Sequence, residues 1–157
     1  MLSETLRQNA IATAVEAFDA DAITAGKLDR GELTLEIAPA KIASICGFLK
    51  YDQKFVRLSS VTAVDRYPLE PRFEVVYHLH SVEQKQRVRL KCRIEGYEPA
   101  IESVTSVWRG ANWYEREVFD LFGINFLNHP DLRRIMLPDD WEGHPLRKDY
   151  PVTGTRI

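Results

Sequence analysis

The sequence predicts an α+β fold: a two-layer domain with a mainly antiparallel sheet of four to five strands, helices packed on one face, and an extended Pro-rich C-terminal tail. Three observations lead there. Two stretches with strict two-residue alternation, FEVVYHLH and VRLKCRI, flank a polar turn around Glu83–Lys85, the pattern of hairpin strands half-buried on one side. Two other stretches, near the start and after Pro39, repeat their apolar residues at helical spacing. Finally, Asn128 to Pro151 holds Pro130, Pro138, Pro145 and Pro151, which exclude a long helix or a central strand.

Taken in order, residues 2–18 read as one amphipathic helix with Leu6, Ile11, Val15 and Phe18 on one side. Asp19 to Gly31 is polar and glycine-containing and reads as a connection. Leu33, Leu35 and Ile37 alternate with Thr34 and Glu36, a half-buried strand. Pro39 stands where a helix would start, and Ile42, Ile45, Cys46 and Leu49 form its buried stripe. Lys54 to Asp65 is rich in β-branched residues and reads as a strand. In the next two strands Phe73, Val75, Tyr77 and Leu79 share one face, while Val88, Leu90, Cys92 and Ile94 alternate with Arg87, Arg89, Lys91 and Arg93. Those four cations read first as the solvated side of a sheet and second as a docking surface. Ile101 to Trp108 reads as a short strand or turn. Residues 1–124 form the expected domain and 125–157 the expected tail.

From Asn112 the chain reads as a short charged helix. Asn112 and Glu115 have capping-box spacing, and Gly123 is a natural left-handed stop. Tyr114, Val118, Phe119, Leu121 and Phe122 make an apolar arc, with Arg116, Glu117 and Asp120 opposite. Arg116 and Asp120 stand four apart and are expected to pair on the outer face. Glu115 falls inside the apolar arc, so it must cap the helix or meet a cation. The tail keeps Leu132, Ile135, Met136, Leu137, Trp141, Leu146 and Tyr150, too apolar for a disordered linker, so it is expected to lie along its own domain or another subunit.

Composition excludes several classes. A hydrophobic content of 45%, a charged content of 28% and a net charge of −2 are ordinary for a globular domain and argue against nucleic-acid binding. Cys46 and Cys92 stand alone without a CxxC, which favours core packing in a reducing compartment. The N-terminus lacks the basic start and apolar run of a signal peptide, and no stretch is long and apolar enough to span a bilayer. Membrane association is therefore expected to be indirect.

Candidates for chemistry are few. His78 and His80 share a strand face but lack further ligands at metal-site spacing, so a small metalloprotein is the weaker reading. His129 and His144 each precede a proline and suit turns. Asp139 and Asp140 suit a turn after Pro138 better than acid–base work. No GxGxxG, GxxxxGKS/T, GxSxG or HExxH occurs. The residues alone point to a binding module.

The helix and tail resemble the 30 kDa, or C-type, subunit family of the proton-pumping NADH–quinone oxidoreductase (respiratory complex I). The signature residues Glu115, Arg116, Glu117, Asp120, Leu121, Phe122, His129, Arg133, Ile135 and Met136 stand at the family's spacing, and HPDLRRIMLPDDWEGHPLRKDYP resembles its tail. The GELTLEI and FVRLSSVTAVD strands and the hairpin before Trp108 are collinear with it. Asn128 departs from the glycine common there, but asparagine tolerates the left-handed backbone.

The resemblance implies a structural, non-catalytic subunit with no cofactor of its own, FMN and iron–sulfur clusters residing in partner subunits. It implies partners in the D-type subunit, as a separate chain, and in other peripheral-arm subunits, on the cytoplasmic side of a bacterial inner membrane. It also implies that Glu115, Arg116, Glu117, Asp120, His129, Pro130, Arg133, Arg134, Ile135, Trp141, Arg147, Lys148 and Asp149 form the signature and partner interface. A related membrane-bound hydrogenase, or another complex I-like enzyme, is the alternative setting.

Overall fold

The computed structural model describes residues 2–153. The expected N-terminal helix is two helices, α1 (Glu4–Arg7) and α2 (Ala10–Phe18). Asn9 makes the break: its side-chain oxygen accepts from the Ile11 and Ala12 N–H groups at 3.0 and 3.1 Å. A capping oxygen satisfies the donors a helix start leaves orphaned, at the expense of continuing the helix before it.

The expected connection over Asp19 to Gly31 instead holds a strand, β1 (Ile23–Asp29), paired antiparallel with β2 (Glu32–Ile37). Arg30 and Gly31 between them have φ of 52° and 81°, the two positive values that a tight type I′ hairpin requires. Within β1, a Cβ at Gly26 would lie 2.8 Å from Leu6 Cδ1, so this glycine lets α1 approach the sheet.

Pro39–Lys41 form one 3₁₀ turn that leads into α3 (Ile42–Tyr51), with Pro39 at the helix-compatible start. β3 (Arg57–Asp65) begins three residues later than the composition suggests, because Lys54 takes a left-handed φ of 62°. β4 (Phe73–Ser81) and β5 (Gln86–Ile94) complete a sheet of order β1-β2-β5-β4-β3. Only the β2–β5 junction is parallel; the others are antiparallel. A second, parallel pair joins β6 (Ala100–Glu102) to β7 (Asn125–Leu127), with α4 (Ala111–Phe122) as the crossover that a parallel pair needs. The boundary expected after residue 124 therefore falls inside a β6–α4–β7 unit.

The core lies on one side of the large sheet. Leu35, Leu90, Tyr77 and Val61 stand in one cross-strand row, all buried, under Val15, Ile45, Leu49 and Val118 from the helices. Cys46 and Cys92 are buried free thiols in that core. The opposite face carries His78, His80 and the four cations of β5. Lys91, Arg66 and Arg93 surround Glu74 at 2.9, 3.5 and 3.7 Å, and Arg89 reaches Glu32 at 3.4 Å. No helix among the described residues is long and apolar enough to cross a membrane.

Candidate functional site

The tail runs alongside α4 from its start to its end. His129 meets the Asn112 carbonyl at 3.2 Å, Arg116 donates to the Arg133 and Arg134 carbonyls at 3.1 Å each, and Asp120 receives residues 134–137. Asn112, Arg116 and Asp120 are four apart, so one stripe of the helix carries the whole track.

Asp120 is the anchor of this arrangement and is completely buried. Its Oδ1 accepts from Arg134 Nη1 at 2.6 Å, and its Oδ2 accepts the successive N–H groups of Ile135, Met136 and Leu137 at 3.0, 2.7 and 2.9 Å. Three consecutive backbone donors on one oxygen form an anion-binding concavity. Burial pushes the Asp120 carboxyl up, but the Leu137 N–H, the Arg134 guanidinium and the other two N–H groups outweigh it and hold the group below its ordinary value. The expected outward Arg116–Asp120 pair is thus absent, because both side chains are engaged by the tail. Arg134 also donates to the Trp141 and Gly143 carbonyls at 3.1 and 2.9 Å, closing the loop between them.

The C-terminal carbonyls of α4, orphaned in any helix, are taken up by the same tail. His144 Nδ1 donates to Asp120 O at 2.8 Å, Leu146 N–H to Leu121 O at 3.0 Å, and Arg147 Nε to Phe122 O at 2.6 Å. Gly123 makes this possible. Its φ is 73°, and a Cβ there would lie 2.6 Å from the His144 ring and 2.7 Å from Arg147.

Glu115 neither caps α4 nor meets a cation-bearing partner of the expected kind. Gly110 occupies the N-cap position without a side-chain bond. The Glu115 carboxyl is fully buried and accepts from Ser103 Oγ and Val104 N–H, both at 2.7 Å, tying α4 to the turn after β6. His129 Nε2 lies 3.8 Å from it. Because His129 Nδ1 accepts the Asp131 N–H, the ring proton sits on Nε2 and points to the Asn112 carbonyl. Burial pushes Glu115 up to about 7, despite the Ser103 and Val104 donors.

A third cluster fastens the end of the tail. Arg72 forms a fork on Asp65, with Nε–Oδ1 at 2.9 Å and Nη2–Oδ2 at 2.8 Å, and reaches Asp149 at 2.7 and 3.2 Å. Asp65 also accepts the Lys148 N–H at 2.8 Å. Asp65 is buried, which raises its carboxyl, yet Arg72 and the Lys148 and Tyr67 N–H groups bring it down to about 2. Arg72 and Asp65 carry no motif and stand in no periodic run, so sequence reasoning missed them.

The signature residues therefore divide. Glu115, Arg116, Asp120, His129, Arg134 and Arg147 hold the chain to itself, as do the Lys148 backbone and the Asp149 carboxylate. Glu117, Pro130 and Ile135 are exposed, Trp141 is half-buried, and Arg133 pairs only with exposed Asp131 at 2.8 Å. Asn128 has φ 61°, as its place in the turn requires, and donates to Glu102 at 2.7 Å. The segment after Pro138 makes a backbone turn, Trp141 N–H to Pro138 O. Among the described residues, no three His, Cys, Asp or Glu side chains converge as metal ligands, and His78 is engaged by Ser60 and Arg89.

The family model of the respiratory-chain NADH dehydrogenase 30 kDa subunit matches residues 35–156. The chain belongs to that family. Among its relatives, the C-type subunit of the NADH-quinone oxidoreductase of Geobacter sulfurreducens is 52% identical over 126 residues, covering 80% of this chain and 78% of that protein. That of a Roseiflexus species is 45% identical over 139 residues, covering 87% and 80%. In three dimensions this family member superposes on a trypsin-resistant fragment of Nqo5 with a TM-score of 0.66 at 29% identity, over 76% of this chain and 97% of the fragment. It also superposes on a chain of the membrane-bound sulfane sulfur reductase, an archaeal respiratory membrane complex, with a TM-score of 0.74 at 28% identity, over 93% and 86%. The expected α+β fold and the expected family both hold.

Proposed function

We propose that this chain is a structural, non-catalytic subunit of the peripheral arm of a proton-translocating NADH–quinone oxidoreductase, binding the D-type subunit and its neighbours through the outer side of α4 and its tail. The observation that carries this reading is the division of that tail. Arg134, His144 and Arg147 are turned inward and fix its path on α4, while Trp113 of α4 and Ile135, Met136 and Leu146 of the tail are left exposed, with Met136 at 63% and Trp113 at 64%. A segment held this firmly with apolar side chains outward is a preorganised docking ridge, and preorganisation lowers the ordering cost of association. In this reading FMN and iron–sulfur clusters belong to the partner subunits, and the chain serves a bacterial inner membrane peripherally from the cytoplasmic side.

The likeness to a chain of the sulfane sulfur reductase favours a second setting, the equivalent subunit of a related complex I-like enzyme or energy-converting hydrogenase. One experiment separates them: affinity capture of the tagged chain from detergent-solubilised native membranes, with iron content and NADH–quinone activity measured. An iron-rich, NADH-oxidising assembly is the expected result. An iron-rich assembly without NADH oxidation selects the second setting, and a chain recovered alone overturns both.

A further inference from the structure

The cations on the polar face of the large sheet are not equivalent. The sheet register sets them in rows: Ser60, His78, Arg89 and Thr34 in one, Arg57, His80 and Arg87 in the next. Farther along β5, Lys91 and Arg93 are neutralised by Glu74 and Glu36. Among the described residues the side chains of Arg57, His80 and Arg87 have no hydrogen-bonding or ionic partner, although they stand directly opposite one another across three strands. Two guanidiniums that flank one imidazole across adjacent strands, with no acid among the described residues paired to any of the three, present a surface that an anion complements.

The surface there is concave. A cavity of about 390 Å³ is lined by Arg57, Ser60, His78, His80, Arg87 and Arg89, with Glu32 as its one acid. Its hydrogen bonds also aim a donor into it. Arg89 Nε donates to His78 Nε2 at 3.2 Å, so the ring proton is on Nδ1 and goes to Ser60 Oγ at 2.9 Å. The Ser60 hydroxyl, having accepted, keeps its own proton for a ligand. A second cavity of about 630 Å³ adjoins, sharing His80 and Arg87 and walled by Ile11, Leu33, Val82 and Val88.

We propose that this end of the sheet is a binding site for the phosphate monoester group of an organic molecule, with the phosphate between Arg57, His80, Arg87 and Ser60 and the organic body in the adjoining, more apolar cavity. A carboxylate has two oxygens and is satisfied by one guanidinium fork, whereas a phosphate monoester carries nearly two charges on three oxygens and can engage two guanidiniums and a hydroxyl together. The group has two sources, a soluble phosphorylated metabolite or a phospholipid headgroup.

The test is calorimetric titration of the purified full-length chain with glycerol phosphate, and co-sedimentation with phosphatidylcholine vesicles containing phosphatidic acid, each against sodium chloride at matched ionic strength. Saturable binding to either probe is expected, weakened about tenfold or more in Arg57→Gln and in Arg87→Gln and several-fold in Ser60→Ala, but unchanged in Lys27→Gln on β1. Binding to glycerol phosphate identifies the soluble source, and binding to the vesicles alone identifies the lipid. Because the Arg57 and Arg87 side chains are exposed and hold no hydrogen bond or ion pair to the other described residues, both variants should melt close to the parent, which keeps the titration interpretable. Absence of binding to both probes, equal heats with chloride, or equal affinity in the arginine variants and Lys27→Gln would overturn the site.

Discussion

Helix α4 carries two fully buried carboxylates five residues apart, and their surroundings drive them in opposite directions. Asp120 faces three backbone N–H groups and a guanidinium, and is held below its ordinary value. Glu115 has two donors and a histidine that presents its proton to a carbonyl, and burial pushes it up to about 7. Burial is common to both. What differs is the number of donors the neighbouring chain delivers. The tail supplies four to Asp120, whereas both hydrogen-bond donors to Glu115 come from the turn after β6 and the tail brings it only His129, at 3.8 Å. One end of α4 is thus latched electrostatically, and the other is packed around a carboxyl poised to change charge near neutrality.

The largest effect follows from removing the latch. Asp120→Ala strands Arg134 and three N–H groups together, and breaking a buried pair from one side costs about 3–5 kcal/mol. The expected outcome in urea unfolding is a loss of that size. The variant should also show tryptic cleavage at Arg133, Arg134 and Arg147 under native conditions, since the tail no longer has its anchor. Cleavage as slow as in the parent would mean that the carbonyl contacts of His144 and Arg147 suffice to hold it.

Arg72→Met acts on the far end of the tail and is expected to cost about 3 kcal/mol by leaving Asp65 buried without its fork. Asp65 is lowered from 3.8 to about 2, so its stabilising contribution is present above 3.8 and lost as pH falls toward 2. In Arg72→Met the acid unfolding midpoint should move to higher pH.

Glu115 has the opposite sign. Its folded value, about 7, lies above the ordinary 4.5, so the native state binds this proton more tightly than the unfolded chain does. Stability from this group is full below 4.5 and falls as pH rises to about 7, by about 3 kcal/mol at most. Glu115→Gln should therefore flatten the stability profile between pH 4.5 and 7 while keeping the Val104 N–H acceptor. A profile as steep as the parent's would place the titration elsewhere.

These contrasts also explain what was readable in the sequence. β2, β4 and β5 announce themselves because one side faces a core, so apolar and polar residues alternate, whereas β3 was legible through its β-branched residues alone. β1 is an edge strand exposed along most of its length and carries Gly26 for the approach of α1, so it lacks that alternation. Asp120 misled for a different reason. Four-residue spacing to Arg116 is a local signal, whereas the actual partner, Arg134, arrives from fourteen residues on. Gly123 was legible as a helix stop, but not as the gap that admits His144 and Arg147. The Arg72–Asp65 fork left no trace, since nothing local marks a charge that meets a tail 77 residues away.

The smallest intramolecular effect sharpens the comparison most. Arg133 follows the same track as Arg134, yet its side chain reaches only Asp131, with both groups largely exposed at 68% and 57%. Such a pair is worth under about 1 kcal/mol, so Arg133→Ala should leave urea unfolding and tryptic resistance close to those of the parent. Arg134→Ala, which loses Asp120 and two loop carbonyls, should not. The two variants thereby separate the inward and outward duties of one basic pair. If the outward side of the tail docks on a partner, Arg133→Ala lowers recovery of the assembled complex from membranes while the chain itself stays folded. Equal recovery for Arg133→Ala and the parent would confine the tail's charge to the chain's own fold and leave docking to Trp113, Ile135, Met136 and Leu146.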